Sequence, residues 1–347
     1  KRWLQLYLEG ADGYDSDGRQ KASVLIHFPN PRCDHQGEEG VKTFHFVTCY
    51  LTRRCDLACS YCGIRGEKHA TEMWPAQWQS ILQRWIPKTE YFSLLGGEPT
   101  LYPGLADLIQ FMADSGVKFG MTTDGRADLG EYLHLIHCGL PELIVSVDSL
   151  GFSFPCKSSR IKSERGRALI TDPGIIGAKV TRIASVCVTR YNVTEVPAIL
   201  RYFTDFGVMS APCLVQGGTF GDDGDQPGSK ELRHLVEWIE KEYDNLKLCE
   251  PKEYYKVWLQ PQTRTQPHRW HCSSSLRAPS IDYDGRLWAC YAYKGVRAQK
   301  LSALVDDWDQ IVSDCRADAK ECSGCSWNCL WTSDAIAQGL VNPKNWV

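Results

Sequence analysis

The sequence predicts an α/β fold built on a parallel sheet, and three observations predict it. From Val41 onward, six apolar runs alternate with stretches of helical periodicity. A chain of 347 residues with 43% hydrophobic content has enough apolar side chain to bury a large sheet. In the last third the pattern changes to a short hairpin among closely spaced cysteines. Six strand–helix units in succession imply helices outside a parallel sheet, as an open barrel or a doubly wound sheet.

Taken in order, residues 1–40 carry two short apolar runs, 3–8 and 23–28, around a turn-rich segment at 10–18. The acidic residues of that segment loosely suggest a calcium loop. Its glycines and the missing closing Glu are out of register for one, so a solvated hairpin tip is expected. Strands are expected at 43–50, 91–95, 117–122, 143–147, 182–188 and 208–215. Trp74, Trp78, Ile81, Leu82 and Trp85 fall at helical spacing, as do Leu105, Leu108, Ile109 and Met112. The tryptophan stripe reads as core filling rather than a cofactor box. Later helices are expected at 131–137, 195–206 and 230–243. One unit departs from the rule: 151–167 is polar and mixed, and Pro173-Gly174 interrupts the rest of the unit. A loop or shortened helix over the active site is expected there.

Composition narrows the function classes. With 39 basic against 42 acidic residues, net charge −3, nothing suggests a general nucleic-acid surface. No stretch reads as a membrane span or signal peptide. Sixteen cysteines is high, but secreted disulfide scaffolds are usually small and core-poor. Metal ligation in a cytoplasmic protein is expected instead.

The cysteines carry the chemistry. Cys55, Cys59 and Cys62 form C-x3-C-x2-C just after the first expected strand. Three thiolates can hold three irons of a cubane that normally takes four cysteines, which leaves one iron open. A zinc knuckle is the alternative, but zinc sites usually pair C-x2-C units. One strand later stands Gly96-Gly97-Glu98-Pro99, where glycines permit close backbone approach and a carboxylate can receive an ammonium group. Together these resemble the radical SAM superfamily, and the resemblance implies a partial (β/α)6 TIM-like barrel. It implies a [4Fe-4S] cluster on Cys55, Cys59 and Cys62 whose open iron binds the methionyl group of S-adenosylmethionine. It further implies cofactor contacts from Gly96, Gly97, Glu98 and Pro99 to the methionyl amine, with Tyr61 along the adenine. Ser146 and Asp148 would lie near the ribose or carboxylate, and Leu214 would pack on adenine. Asp124 stands where such families often carry Asn, and 189–192 resembles the family's strand-end turn.

The C-terminal third adds a second set. Cys272, Gly285 and Cys290 form C-x12-G-x4-C, and Asp284-Gly285 is a hairpin signal. Cys315 comes next, then Cys322, Cys325 and Cys329. Four thiolates would close an Fe–S site or a zinc site. The pattern is similar to the SPASM and twitch extensions of radical SAM enzymes. This implies a small C-terminal Fe–S domain with one auxiliary [4Fe-4S] cluster on Cys272, Cys290, Cys322 and Cys325, with Cys329 or Cys315 as alternative ligand. The domains expected are an extension at 1–40, the barrel core at 41–228, a helical linker at 229–265 and the auxiliary domain at 266–347.

The resemblance implies an oxidoreductase or maturase. It would cleave S-adenosylmethionine reductively and abstract a substrate hydrogen, with the auxiliary cluster aiding net oxidation or cross-linking. A ribosomally made peptide is the first substrate class expected. Dehydrogenation or epimerisation of a small molecule such as an aminosugar is the alternative, and Cys187, Cys213 or Cys249 could return a hydrogen atom. An electron donor such as flavodoxin or ferredoxin is implied. A non-enzyme reading is an Fe–S electron carrier or a zinc-stabilised interaction protein, and neither would need the Gly-Gly-Glu-Pro turn.

Overall fold

The computed structural model describes residues 44–64, 72–151, 154–215, 225–259, 278–288 and 301–302. All of these belong to the larger of two units into which the chain divides, residues 39–347. The apolar runs expected within 1–40 and all six cysteines from Cys272 to Cys329 lie outside the described residues.

The six expected strands are present, with ends shifted by no more than two residues. They are β1 (Phe44–Tyr50), β2 (Thr89–Leu95), β3 (Lys118–Thr123), β4 (Glu142–Ser146), β5 (Thr181–Val188) and β6 (Met209–Leu214). Between them run α1 (Pro75–Trp85), α2 (Leu105–Asp114), α3 (Leu129–His137), α4 (Lys157–Ile170), α5 (Pro173–Gly177) and α6 (Val196–Asp205). After β6 come α7 (Ser229–Glu242) and α8 (Lys252–Lys256), then the short strands β7 (Ser280–Ile281), β8 (Arg286–Trp288) and β9 (Leu301–Ser302).

The sheet order is β6-β5-β4-β3-β2-β1-β7-β8-β9, with β1 to β6 all parallel to their neighbours. Strands that follow one another in space as in sequence contain no switch point. Right-handed crossovers then place every helix on the same face, which decides for a barrel-like wall over a doubly wound sheet. Strands β1 and β6 are not neighbours, so the barrel is partial.

Alternation along each strand separates two faces. Val47, Cys49, Phe92, Leu94, Phe119, Met121, Leu143, Val145, Ala184 and Val186 form one buried cluster with the helices' Trp78, Ile81, Leu82, Trp85, Leu108, Met112, Tyr132 and Leu135. A second cluster seats α6, α7 and α8 on Val188 and Leu214. On the opposite parity, Ser146, Ser185, Cys187, Ala211 and Cys213 face inward and are only half-buried.

Two expectations need correction. Trp74 is not part of the core: it caps α1 from outside and is 70% exposed. Residues 157–170 form a full 14-residue helix rather than a loop. Its buried face is Ser159, Lys162, Ser163, Gly166, Leu169 and Ile170, so the helical period is present in small and polar residues.

The hairpin at Asp284-Gly285 is found. β7 and β8 pair antiparallel, Ile281 opposite Leu287, across a turn in which Gly285 takes φ +78°. β7 also pairs parallel to β1, Thr48 with Ser280 and Cys49 with Ile281.

Candidate active site at the strand ends

The cysteine loop leaves β1 and stays laced to the turn after β2. Leu51 N–H donates to Leu95 O (2.7 Å), Gly97 N–H to Thr52 O (2.8 Å) and Glu98 N–H to Arg54 O (2.8 Å). The β1–β2 ladder therefore continues past both strand ends. A Cβ at Gly96 would overlap the Thr52 carbonyl, and one at Gly97 the Arg54 carbonyl. The room that these glycines create is taken by the cysteine loop itself.

Arginines brace the loop on both sides. Arg53, 4% exposed, donates from Nη2 to Asp282 Oδ2 at 2.9 Å and lies over the Tyr283 ring. Asp282 also accepts from Trp288 Nε1 (3.3 Å), so the hairpin holds the root of the loop. Arg54 pairs with Glu72 at 2.7 Å. Further along, Asp56 accepts from Arg165 Nη1 (3.0 Å) and lies 3.4 Å from Arg126 Nε.

Helix α4 supplies the rest of the clamp. Ser158 Oγ accepts from Ala58 N–H (3.0 Å), and Cys156 Sγ lies 3.8 Å from the Ala58 carbonyl. Lys162 pairs with the fully buried Asp148 at 2.6 Å, and both bond the Tyr61 hydroxyl. Burial alone would lower the Lys162 pKa, but the Asp148 carboxylate beside it outweighs that and raises it. Burial and the same carboxylate push the Tyr61 hydroxyl well up, so Tyr61 is a neutral phenol. Asp148 Oδ1 accepts from Cys187 N–H (3.1 Å), and Asn192 Nδ2 donates to the Asp148 carbonyl (2.8 Å). Asn192 thus ties the turn after β5 to the end of β4.

The loop carries three thiols and is closed by a turn from Cys62 N–H to Cys59 O (3.1 Å). Cys55 is exposed, Cys59 buried and Cys62 half-buried. Burial pushes Cys55 up to about 12 and Cys59 up to about 11. Without metal these thiols hold their protons, so metal uptake must release them. The donor set fits the open-iron cluster that the resemblance implies. The loop offers three sulfurs, and Leu57 N–H points at Cys55 Sγ (3.4 Å).

Of the other expected site residues, Ser146 faces inward in register with Ser185. Pro99 is buried and opens a 3-10 turn, Pro99–Leu101. Glu98 is fully buried, with Oε1 accepting from Thr100 N–H (3.1 Å), Thr100 Oγ1 (2.9 Å) and Thr123 Oγ1 (2.8 Å). Its Oε2 accepts from Asp124 N–H (2.7 Å). Leu214 is not brought to this group: its side chain is committed to the outer cluster beside Val188, Leu232 and Trp258.

Sequence reasoning missed Lys162, Ser158, Arg165 and Arg126. The signal for the first three was the helical spacing of polar residues in 157–170.

Asp124 stands apart. It is 7% exposed, and neither carboxylate oxygen has a hydrogen-bond donor among the described residues. Burial and then the facing Glu98 carboxylate push it up to about 8. Its oxygen, Cys55 Sγ and an Asp56 oxygen lie within 4.8 Å of one another.

Residues 49–155, which contain the cysteine loop and the Gly-Gly-Glu-Pro turn, match the Radical SAM superfamily. The chain is 28% identical over 109 residues to an S-adenosylmethionine-dependent nucleotide dehydratase of Selenomonas ruminantium, covering 31% of this chain and 38% of that protein. It is 25% identical over 154 residues to a PqqA peptide cyclase of Methylobacterium nodulans, covering 43% and 41%. The chain thus spans about two fifths of the length of these curated relatives. In structure it resembles SuiB of Streptococcus suis, with TM-score 0.63 and 16% identity, covering 79% of this chain and 67% of that one. At that identity the likeness is one of fold.

Proposed function

We propose that this chain, whose residues 49–155 match the Radical SAM superfamily, is an enzyme that cleaves S-adenosylmethionine reductively and abstracts a hydrogen atom from a ribosomally made peptide. The observation that carries this reading is the lacing of the three-thiol loop onto Gly96-Gly97-Glu98 at the carboxyl ends of β1 and β2. Ligands of parallel sheets bind at those ends. In the proposal, Cys55, Cys59 and Cys62 hold a [4Fe-4S] cluster. When bound, that group supplies the electron and the open iron for splitting the sulfonium.

The chain's own residues have separate tasks. Arg53, Arg54 and the α4 clamp fix the loop before any ligand arrives. Lys162 neutralises Asp148 and keeps Tyr61 beside it as a neutral phenol, oriented by its hydroxyl. The half-buried inner face, with Ser146, Ser185 and Cys187, bounds the space for adenosine and substrate. Residues 266–347 add one auxiliary [4Fe-4S] cluster on Cys272, Cys290, Cys322 and Cys325, with Cys329 or Cys315 as alternative ligand. That cluster would take the electron from the substrate in a net oxidation or cross-link. An electron carrier such as flavodoxin or ferredoxin would complete the cycle.

The activity for which the PqqA peptide cyclase is named supports the peptide class. A nucleotide substrate is the second reading, supported by the dehydratase match and by 25% identity over 221 residues to a probable GTP 3',8-cyclase. Anaerobic reconstitution with iron, sulfide, a reductant and S-adenosylmethionine should yield deoxyadenosine. The variant with Cys55, Cys59 and Cys62 all changed to Ala should yield none, and retained formation there would sink the assignment. Mass spectrometry of short peptides encoded beside this gene, run against a panel of nucleotides, separates the two substrate classes.

A further inference from the structure

We propose that Cys187 and Cys213 form a dithiol that returns a hydrogen atom to the substrate radical. The substrate then keeps its oxidation level, and the carbon that lost its hydrogen can be re-formed in either configuration. This refines the last step of the reading above and rests on its earlier ones.

The two cysteines are neighbours in the sheet. Cys187 on β5 is in register with Cys213 on β6, each one residue from the carboxyl end of its strand, and both are unbridged. Both have the inward parity, whereas Val186, Val188 and Leu214 beside them pack outward. Adjacent strands stand about 4.8 Å apart, inside the Cα separation of about 4.4–6.8 Å that a disulfide spans. Cys187 is also fixed against the cysteine loop. Its N–H donates to Asp148 Oδ1 (3.1 Å), and its carbonyl accepts from Asn192 Nδ2 (2.8 Å). Asp148 in turn bonds the hydroxyl of Tyr61, the residue before Cys62. The Cys187 thiol lies within electrostatic reach of Asp148, Cys213, Lys162 and Cys59. Burial and then the Asp148 carboxylate push its pKa well up, so it holds the hydrogen that it is to donate.

The other described cysteines outside the triplet lack this placement. Cys49 packs in the outer cluster, Cys138 ends α3, and Cys156 precedes α4 and faces the Ala58 carbonyl. Cys249 N–H bonds Ser210 O (3.0 Å), three residues before Cys213 and so about 10 Å toward the amino end of β6. Free thiols often do no more than fill cores. Here two stand side by side on the wall that bounds the substrate space, and one is tied to the carboxylate that orients Tyr61.

The step balances as follows. The Cys187 S–H bond breaks, and a C–H bond forms at the substrate radical. The resulting thiyl radical forms an S–S bond with Cys213, whose proton leaves to solvent, which gives a disulfide radical anion. Its extra electron passes to an oxidised [4Fe-4S] cluster of the class named above. The pair thus gives up two electrons, one within the hydrogen atom and one to the cluster, and a dithiol reductant restores both thiols.

The test uses the anaerobically reconstituted full chain in D2O, with dithionite and one equivalent of S-adenosylmethionine as the probe. The deoxyadenosyl radical is itself a carbon radical in this space and stands in for that of the substrate. O–H and N–H groups hold hydrogen too strongly to give it up, so only an exchanged thiol can label the product. Deoxyadenosine should carry one deuterium, and thiol trapping with peptide mapping should show an equal amount of Cys187–Cys213 disulfide. Per deoxyadenosine made, Cys187→Ser should lose the label. Cys213→Ser should keep it but form no disulfide, and Cys249→Ser should match the wild type. Unlabelled wild-type product, label retained in Cys187→Ser, or label without the Cys187–Cys213 disulfide overturns the proposal. The wild-type readouts decide even where a variant fails to load iron. Failure of the superfamily reading looks different: the wild type would make no deoxyadenosine.

Discussion

Gly97 and Lys162 show how single residues act here through the cysteine loop rather than on a ligand directly. The Cβ direction at Gly97 is filled by the backbone of Arg54, the residue just before Cys55. Gly97→Val should therefore displace the loop, and iron retained after gel filtration should fall by up to half. Gly177→Ala, whose Cβ meets nothing within 4 Å, is the control and should keep full iron. Lys162→Met leaves the Asp148 carboxylate buried without its counter-charge, a change that costs about 3–5 kcal/mol. Urea unfolding should show that loss, and Asp148→Asn added to Lys162→Met should restore part of it. The cysteine triplet and the Gly-Gly-Glu-Pro turn were legible in the sequence because their chemistry lies in local spacing. Lys162 was not, since its partners stand on other elements of the fold. Leu214 misled for a simpler reason. Strand side chains alternate, so a neighbour, Cys213, faces inward while Leu214 points to the helices.

At the scale of elements, α4 is where the sequence reading and the structure part. Hydrophobic periodicity identifies helices that bury apolar stripes, and all the other long helices do. Helix α4 buries Ser159, Lys162, Ser163 and Gly166 at i, i+3, i+4 and i+7, because it packs on strand ends and on a polar loop. Ser163 Oγ accepts from the N–H groups of Asp148 (2.9 Å) and Ser149 (3.1 Å), work that an apolar side chain cannot do. Gly166 is the contact point: a Cβ there would meet the Ser146 carbonyl at 2.7 Å and two Val side chains at 3.0 Å or less. Gly166→Val should thus lift α4 from β4 and destabilise the fold by about 1–3 kcal/mol. The same variant should load iron more slowly than the wild type, which iron uptake against time would show. No loss of stability would mean that the helix is free to shift.

Across the whole molecule, the six alternating units left an open barrel or a doubly wound sheet, and the family resemblance implied the barrel order that is found; the joining of β7 to β1 could not be read. That pair is short and its partners lie far apart in sequence, and periodicity carries no information about such pairing. The proposed auxiliary cluster makes a separate prediction for the intact chain. The reconstituted protein should hold about eight irons, four for each of two cubanes. Cys272→Ala and Cys290→Ala should each lose about half, and about twelve irons with matching sulfide would show a second auxiliary cluster. The Arg53–Asp282 bond also sets a timetable for biosynthesis. It closes across 229 residues, so at about 5–20 residues per second a ribosome needs roughly 10–50 s to supply the second partner after the first. Throughout that interval the nascent cysteine loop lacks the hairpin that braces its root. The thiols made early in the chain are therefore among the last to gain their final surroundings.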